Sequence, residues 1–290
     1  MHAYFEPWRT YRHPEVRQLA FAVASPNILR SLPTELPLEH AFEFHASQHW
    51  SVHYARYEVK LRALDLNPAP LLDFLAQLKS TRLGLRFEYL MWYWLLDTQY
   101  HDYQLLGHSI QMFQGRTTLG EIDFLLFNQV TQQVEHWEVA LKYYLAEHQA
   151  QLAHWYGLNR SDTLQRKLKH FTEQQFRFAQ VEDRIIDKRY AIMKGQLYFP
   201  LPKTAHACGY KDSTCTNIAA WVNTERRLGQ WGHRIMSKDY YRLQRQEWIC
   251  PDENISSAPA HWWCNGLYHD AKTQQDYMFR QAPMLYNPVK

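Results

Sequence analysis

Apolar residues recur at three- and four-residue steps along 81-TRLGLRFEYLMWYWLLD-97, where Leu83, Phe87, Leu90, Met91, Trp94 and Leu95 mark one helix. It is apolar around most of its circumference, so burial against a sheet is expected. Glu88 is the only acid between Arg82 and Asp97, and its neighbours three and four residues away are Gly84, Leu85, Met91 and Trp92. None of these pairs with a carboxylate, so Glu88 needs a partner from another element. Beyond this helix the period shortens to two. Three strand-like runs, 104–114, 119–128 and 134–145, are separated by polar turns of hairpin size. In a strand alternate side chains share a face, so Glu121 and Asp123 point the same way. Glu138, Ala140 and Lys142 likewise share one face, with Trp137, Val139 and Leu141 opposite.

Residues 1–80 read as mostly helical with proline punctuation. The segment 14-PEVRQLAFAVAS-25 is opened by Pro14 and closed before Pro26, the stretches 32–39 and 66–70 are proline-rich connections, and a further helix starts near Leu71. After Gly157 a long helix is expected from Asp162 to Lys188, with Gln165 as capping-box partner. Leu164, Leu168, Phe171, Phe178 and Ile185 form its apolar stripe, and Arg166, His170, Arg177, Arg184 and Lys188 line roughly the opposite face. The run 195–202 reads as extended. Past about residue 190 the periodicity weakens, which divides the chain into a helical region 1–80, a core 81–190 and an aromatic, cysteine-containing region 191–290 whose fold the pattern does not name.

The chain has 290 residues and 46% hydrophobic content, enough for a packed core. A formal net charge of only +3 means that affinity for nucleic acid has to come from local clusters. Neither end reads as a targeting segment, and the richest apolar window, 87-FEYLMWYWLL-96, contains Glu88 and is too short to span a bilayer. Cys208, Cys215, Cys250 and Cys264 are too few for a disulfide scaffold. The expectation is a cytoplasmic chain with reduced thiols and no membrane partner. No P-loop or GxGxxG occurs, which argues against a nucleotide cofactor, and the 16 His show no HExxH spacing.

An ionised carboxylate inside a sheet is costly unless it is paired or bound to a metal. If 119–128 and 134–145 pair as a hairpin, one side of the sheet gathers two or three carboxylates and a lysine, and helix 81–97 can lay Glu88 across that side. Clustered carboxylates beside a lysine suit a hard divalent cation, Mg²⁺ or Mn²⁺, which takes oxygen ligands and keeps positions for water and a substrate phosphate.

The segments 82-RLGLRFEYL-90, 119-LGEIDFLL-126 and 137-WEVALKYYL-145, followed by 157-GLNRSDTLQRKLKHFTEQQ-175, resemble the PD-(D/E)XK nuclease core. More narrowly, the chain resembles a bacterial domain-of-unknown-function family grouped with that superfamily. The likeness covers 81–190 and extends more loosely over the whole chain. It implies an α/β fold in which a mixed central sheet is flanked by helices, with a helical N-terminal region and a C-terminal extension. It also implies Mg²⁺- or Mn²⁺-dependent hydrolysis of DNA, with RNA the second choice of substrate. Asp123 would be the central metal ligand, Glu138 the second acid, Lys142 the catalytic lysine and Glu88 the helix-borne acid. One position departs from the pattern: two residues before the lysine, where the superfamily has an acid, stands Ala140. Glu138 lies one pleat further, about 13 Å from Lys142 between Cα atoms rather than about 7 Å. Either Glu138 reaches across, or Glu121 supplies the missing metal ligand, or the core binds nucleic acid without cleaving it.

Plainer readings stand beside these. Glu88 can be a buried carboxylate paired with an arginine, Asp123 and Lys142 can form a cross-strand ion pair, and Glu121 and Glu135 can sit at exposed strand ends. Arg160, Arg166 and Lys169, near the start of the expected long helix, are the candidates for nucleic-acid contact, against the alternative of a solvated helix face. Zinc on the four Cys with His206 and His261 is a weaker idea, because Cys-x6-Cys is not the short knuckle structural zinc favours. Trp221, Trp231, Trp248, Trp262 and Trp263 either stack on unpaired bases or pack in the core. A protein-interaction module built on that aromatic region, and self-association into a homo-oligomer, remain open at this level.

Overall fold

The computed structural model describes residues 4–148, 150–201, 218–236, 239–251 and 259–282. Helix α1 (Pro14–Ala24) begins as the sequence suggests, with proline in its first turn, and ends where the Ser25 N–H bonds Phe21 O. Helix α2 (Ser47–Leu66) was not marked by periodicity. Its buried face is Trp50, His53, Tyr54, Tyr57, Leu61 and Leu64, which has helical spacing, but four of these six are aromatic or imidazole, so it does not read as a simple apolar stripe. Helices α3 (Ala69–Leu75) and α4 (Leu83–Leu96) follow, the latter being the apolar helix expected at 81–97.

The three strand-like runs form an antiparallel meander, β1 (Tyr103–Gln114), β2 (Thr117–Asn128) and β3 (Gln133–Ala146). The short strand β4 (Trp155–Tyr156) pairs with the end of β3. The long helix expected over 162–188 is a correction. Helix α5 runs only over Leu164–His170 and is followed by a wide π turn over Phe171–Gln175. A small hairpin comes next, β5 (Gln180–Val181) and β6 (Arg184–Ile185), whose two-residue turn places Glu182 at φ 53°. The stripe is real as far as Phe171; Phe178 packs against a separate cluster under β2, and Ile185 is 69% exposed. An apolar period of three and four survived by chance across a turn, which periodicity alone does not detect.

Strand β7 (Lys188–Pro200) then inserts parallel to β3, from Glu135↔Lys188 to Leu145↔Tyr198. A parallel neighbour needs a crossover, and residues 147–187 supply it. Strands β8 (Gly229–Gly232), β9 (Tyr240–Arg242), β10 (Gly266–Asp270) and β11 (Gln275–Phe279) extend the same sheet in the order β1-β2-β3-β7-β8-β11-β10-β9. The protein is therefore a mixed α/β structure whose large central sheet is flanked by helices. The boundary expected at 190 falls inside β7, and the region after it supplies strands to this nine-stranded sheet.

The two faces of β3 bury different cores. Trp137 and Leu141 pack with α1, α2 and α4, whereas Ala140 and Tyr144 pack with α5 and the segments around Ile28, Phe42 and Trp221. Beside Lys142, β7 carries a kink at Gly195, φ +122°. A Cβ there would stand 1.9 Å from Lys142 O, so no side chain fits. Gly195→Ala is expected to destabilise the fold by about 3 kcal/mol or more, read as a drop in denaturation midpoint. An unchanged midpoint would show that the β3–β7 pairing is looser than described. No helix among the described residues is long and apolar enough to cross a membrane.

Candidate active site at the fork between β2 and β3

The β2–β3 ladder runs from Asn128↔Gln133 to Phe124↔Trp137 and ends there. The next residues on the two strands are Asp123 and Glu138. On the other side β1 pairs Ile110 with Ile122 and His108 with Phe124, and leaves Ser109 and Asp123 between them unpaired. Ser109 sits at φ 51°, the left-handed region that an L-residue seldom adopts. Asp123 thus has no ladder partner on either side. Its Oδ2 accepts the Val139 N–H at 2.8 Å, and its own N–H reaches Glu138 Oε1 at 3.5 Å. The carboxylates take over the hydrogen bonding that a continued ladder would have supplied, which is how two acids are tolerated where the strands part.

Glu138 is 0% exposed. Its Oε1 lies 2.6 Å from His136 Nε2, and its Oε2 accepts from the Gln175 amide. The other end of that amide, Gln175 Oε1, accepts from Lys167 Nζ at 2.8 Å. Three elements therefore converge: β2 brings Asp123, β3 brings His136 and Glu138, and α5 with its π turn brings Lys167 and Gln175. Burial, then the charge of Glu138, hold Asp123 well above the usual carboxylate range, against the Val139 hydrogen bond. Burial pushes Glu138 up to about 8, although the Lys167 charge pulls it down. Burial pulls Lys167 down to about 8, opposed by Glu138. Burial keeps His136 neutral by lowering it to about 3.

A stability prediction follows from the sign of the Glu138 shift. A folded-state pKa raised from 4.5 to about 8 contributes stability that is complete below 4.5 and is lost as pH rises through about 8. Glu138→Gln keeps the shape and removes the charge, so in EDTA it is expected to lose less stability than wild type between pH 6 and pH 9. Parallel pH curves for the two proteins would mean that Glu138 is ordinary in its titration.

The expected site residues separate into those at the fork and those away from it. Asp123 and Glu138 meet there. Lys142 shares the face of Glu138, as alternation requires, but its Nζ pairs with Asp162 Oδ2 at 2.7 Å, and Tyr144 OH donates to the other oxygen. Asp162 is therefore not a helix cap; α5 is capped by Thr163, whose side chain accepts the Arg166 N–H. Helix α4 packs on the Trp137 face of the sheet, opposite to Glu138, and Glu88 reaches toward the fork from there. Glu88 Oε1 is bound by His108 Nε2 at 2.8 Å and Ser109 Oγ at 3.3 Å, so its partners are β1 residues rather than an arginine. Its charge adds to the upward shift of Asp123. Glu121 is exposed and held by Gln111 at 2.6 Å. Glu135, expected at an exposed strand end, is buried and accepts from Asn128 and the Trp137 indole. Asp123 and Lys142 form no ion pair.

Beside the fork, α5 and the loop before it line a cleft of about 700 Å³ that includes Lys142, Asp162, Arg166, Lys167, Lys169 and Glu173. Of the three residues expected to contact nucleic acid, Arg166 and Lys169 line this cleft. Arg160 is turned away, paired with Glu147 at 2.5 Å and stacked 4.2 Å from the Tyr156 ring centroid. Among the described residues no group of three or more His, Cys, Asp or Glu side chains could hold a metal ion together. The zinc idea lies largely outside them: Cys208, Cys215 and His206 are not described, Cys250 is buried and Cys264 is exposed.

Sequence reasoning missed Lys167, Gln175 and His136. The available signal was position: Lys167 follows Leu164 by three residues and precedes Leu168, so it borders the stripe that faces the sheet. Gln175 offered none, because it sits in a π turn that the sequence does not announce.

The family of this chain is decided by its match to Domain of unknown function (DUF1853) over residues 17–287. The chain belongs to that family. No characterised protein and no solved structure is detectably similar to it.

Proposed function

We propose that this DUF1853 protein is a metal-dependent phosphodiesterase of the PD-(D/E)XK type, acting on DNA or, as second choice, RNA. The observation that carries the reading is the convergence of Asp123, Glu138 and Lys167 where β2 and β3 part, next to a cation-lined cleft. Burial raises both acids, and the charge of Glu138 raises Asp123 further, so the pair favours a bound cation over two free carboxylates. Mg²⁺ is held by one or two carboxylates, with water and substrate phosphate in the other positions, and this pair fits that requirement. Asp123 Oδ2 accepts the Val139 N–H, and both Glu138 oxygens are engaged, by His136 and Gln175. Asp123 and Glu138 would hold the ion, Glu138 on release of the Gln175 amide from its Oε2. Bound there, the ion would polarise a phosphoryl oxygen and acidify an attacking water.

The chain's own groups do the rest. Lys167, with its pKa lowered to about 8, can hold or release a proton at neutral pH, which suits a group that orients the attacking water. Arg166 and Lys169 fix the phosphate backbone in the cleft. Glu88, bound to His108 and Ser109, sets the field at Asp123 from across the sheet.

A second reading rests on the same geometry. Glu138 is sealed by Gln175 and Ala140 stands where the superfamily has an acid, an arrangement that suits a silent core binding nucleic acid without turnover. Incubation of plasmid and single-stranded DNA with Mg²⁺, Mn²⁺ or EDTA separates the two. Metal-dependent cleavage lost in Asp123→Ala supports the enzyme; retained binding with no cleavage by folded wild type supports the silent core.

A further inference from the structure

We propose that the cleft beside the fork continues past Lys142 into a second one, and that the two together take a single unpaired polynucleotide strand with one base stacked at Trp248. This rests on the phosphodiesterase reading for the chemistry of the ligand and goes beyond it in naming the form of the substrate. The second cleft, about 310 Å³, lies between the first turn of α4 and the loop before α5. Lys142 and Asp162 line both clefts, so the passage between them is their ion pair.

Charge runs the length of this path. Arg82, Lys142 and Arg245 line the second cleft, where Asp162 is the only acid among the described residues and is already held by Lys142. In the first cleft Glu173 is partnered by Lys169 at 3.6 Å. With both acids held by lysines, Arg166, Arg82 and Arg245 mark a track suited to a phosphate backbone. The second cleft also has ring faces. Trp248 and Tyr143 stand at 82° with centroids 5.5 Å apart, and the Arg245 guanidinium lies 5.1 Å from the Trp248 ring. With the Arg245 guanidinium lying over the half-buried indole, a base entering the cleft stacks on the guanidinium plane that Trp248 supports, which every base can use.

Two features favour a single strand over a duplex. The second cleft has the volume of a small-ligand pocket, enough for one nucleotide and not for a base pair with its second backbone. Glu138 is wholly buried behind Lys167 and Gln175, so the scissile phosphate has to dip into the fork, and an unpaired strand bends far more easily than a duplex.

The test is fluorescence anisotropy in EDTA with the full chain, using labelled oligothymidylate, oligouridylate and a duplex of the same length. One or both single strands are expected to bind at least about tenfold more tightly than the duplex, and the comparison of the two tells DNA from RNA. Trp248→Ala is expected to weaken strand binding about tenfold, Trp248→Phe to keep most of it, and Arg245→Glu, at an exposed position, to weaken it without affecting folding. Equal or tighter duplex binding, or strand affinity untouched by both Trp248→Ala and Arg245→Glu, overturns the proposal. Strand binding without any hydrolysis in Mg²⁺ supports the groove and sinks the enzyme reading. Hydrolysis of bis(p-nitrophenyl) phosphate without strand binding sinks the groove alone.

Discussion

Lys167→Ala is expected to lower metal-dependent phosphodiester hydrolysis by about 10²- to 10³-fold, whereas Lys142→Ala lowers it by less than about tenfold. The difference comes from what each ammonium touches. Lys167 is joined to Glu138 through the Gln175 amide, and the charges of Glu138 and Asp123 act on it directly. Lys142 spends its charge on Asp162, in a pair that is partly open to solvent. Such a pair contributes little to stability, so its loss is felt through binding in the cleft, as a raised KM. Lys167→Arg is the useful companion: it keeps a charge that cannot be released at neutral pH. If Lys167 orients or deprotonates water, the arginine variant stays impaired; if it only neutralises the acids, activity returns. A larger loss in Lys142→Ala than in Lys167→Ala would return the catalytic role to the strand lysine that the superfamily pattern suggests.

Acid is expected to unfold this protein unusually early, with stability falling by about 3 kcal/mol per pH unit between pH 6.5 and 5. The cause is a buried stack at the start of α2. His45 and His49 lie face to face at 3.9 Å, His45 stacks on Tyr190 at 3.9 Å, and His49 meets His53 at 4.4 Å. Among the described residues, His45 Nε2, His49 Nε2 and His53 Nδ1 have no hydrogen-bond partner, nor do the neighbouring indoles of Trp50 and Trp94. Burial lowers His45 to about 3 and His53 to about 4, lowers His49 further still, and lowers His136 at the fork to about 3.

A depressed folded-state histidine pKa gives stability that is present above the unfolded value of 6.5 and is lost as pH falls below it, because only the unfolded chain takes up the protons. Asp123 and Glu138 act in the opposite direction over part of this range, since the folded state holds their protons. Burial also lowers His101 and His170 and raises Glu135, in opposite directions, so four histidine protons against two on Asp123 and Glu138 leave about two, each worth about 1.4 kcal/mol per pH unit. Urea denaturation at pH 7.5, 6.5 and 5.5 measures this. His45→Phe, which keeps a ring in the stack, is expected to flatten the curve by about one proton. A stability that is level or rises toward pH 5.5 would show that the imidazoles find partners in solution.

Much of the architecture was legible because it rests on short periods. Helix α4 and the β1–β3 meander follow from apolar residues at three- and four-residue or alternate steps, and the shared face of Glu138 and Lys142 follows from pleating alone. What the sequence concealed depends on register and turns. Nothing local says that the β2–β3 ladder stops at Phe124↔Trp137, and only that stop brings Asp123 and Glu138 together. The end of α5 was hidden because Phe178 kept step with a helical stripe while lying beyond the π turn, so Lys167 and Gln175 were lost inside an imagined longer helix. Helix α2 was missed because imidazole and indole rings, which count as polar or ambiguous, make up its buried face. The last strands, β8 to β11, are three to five residues long, too short for periodicity to register.

A phosphodiesterase of this kind requires the carboxylates at the β2–β3 fork to hold a divalent cation. Titration of Mn²⁺ into the protein, followed by electron paramagnetic resonance, tests it without depending on the substrate. Wild type is expected to show a saturable Mn²⁺ site that Mg²⁺ displaces and that is lost in Asp123→Asn while the fold is kept. No saturable Mn²⁺ in wild type, or a site indifferent to Asp123→Asn, would contradict it.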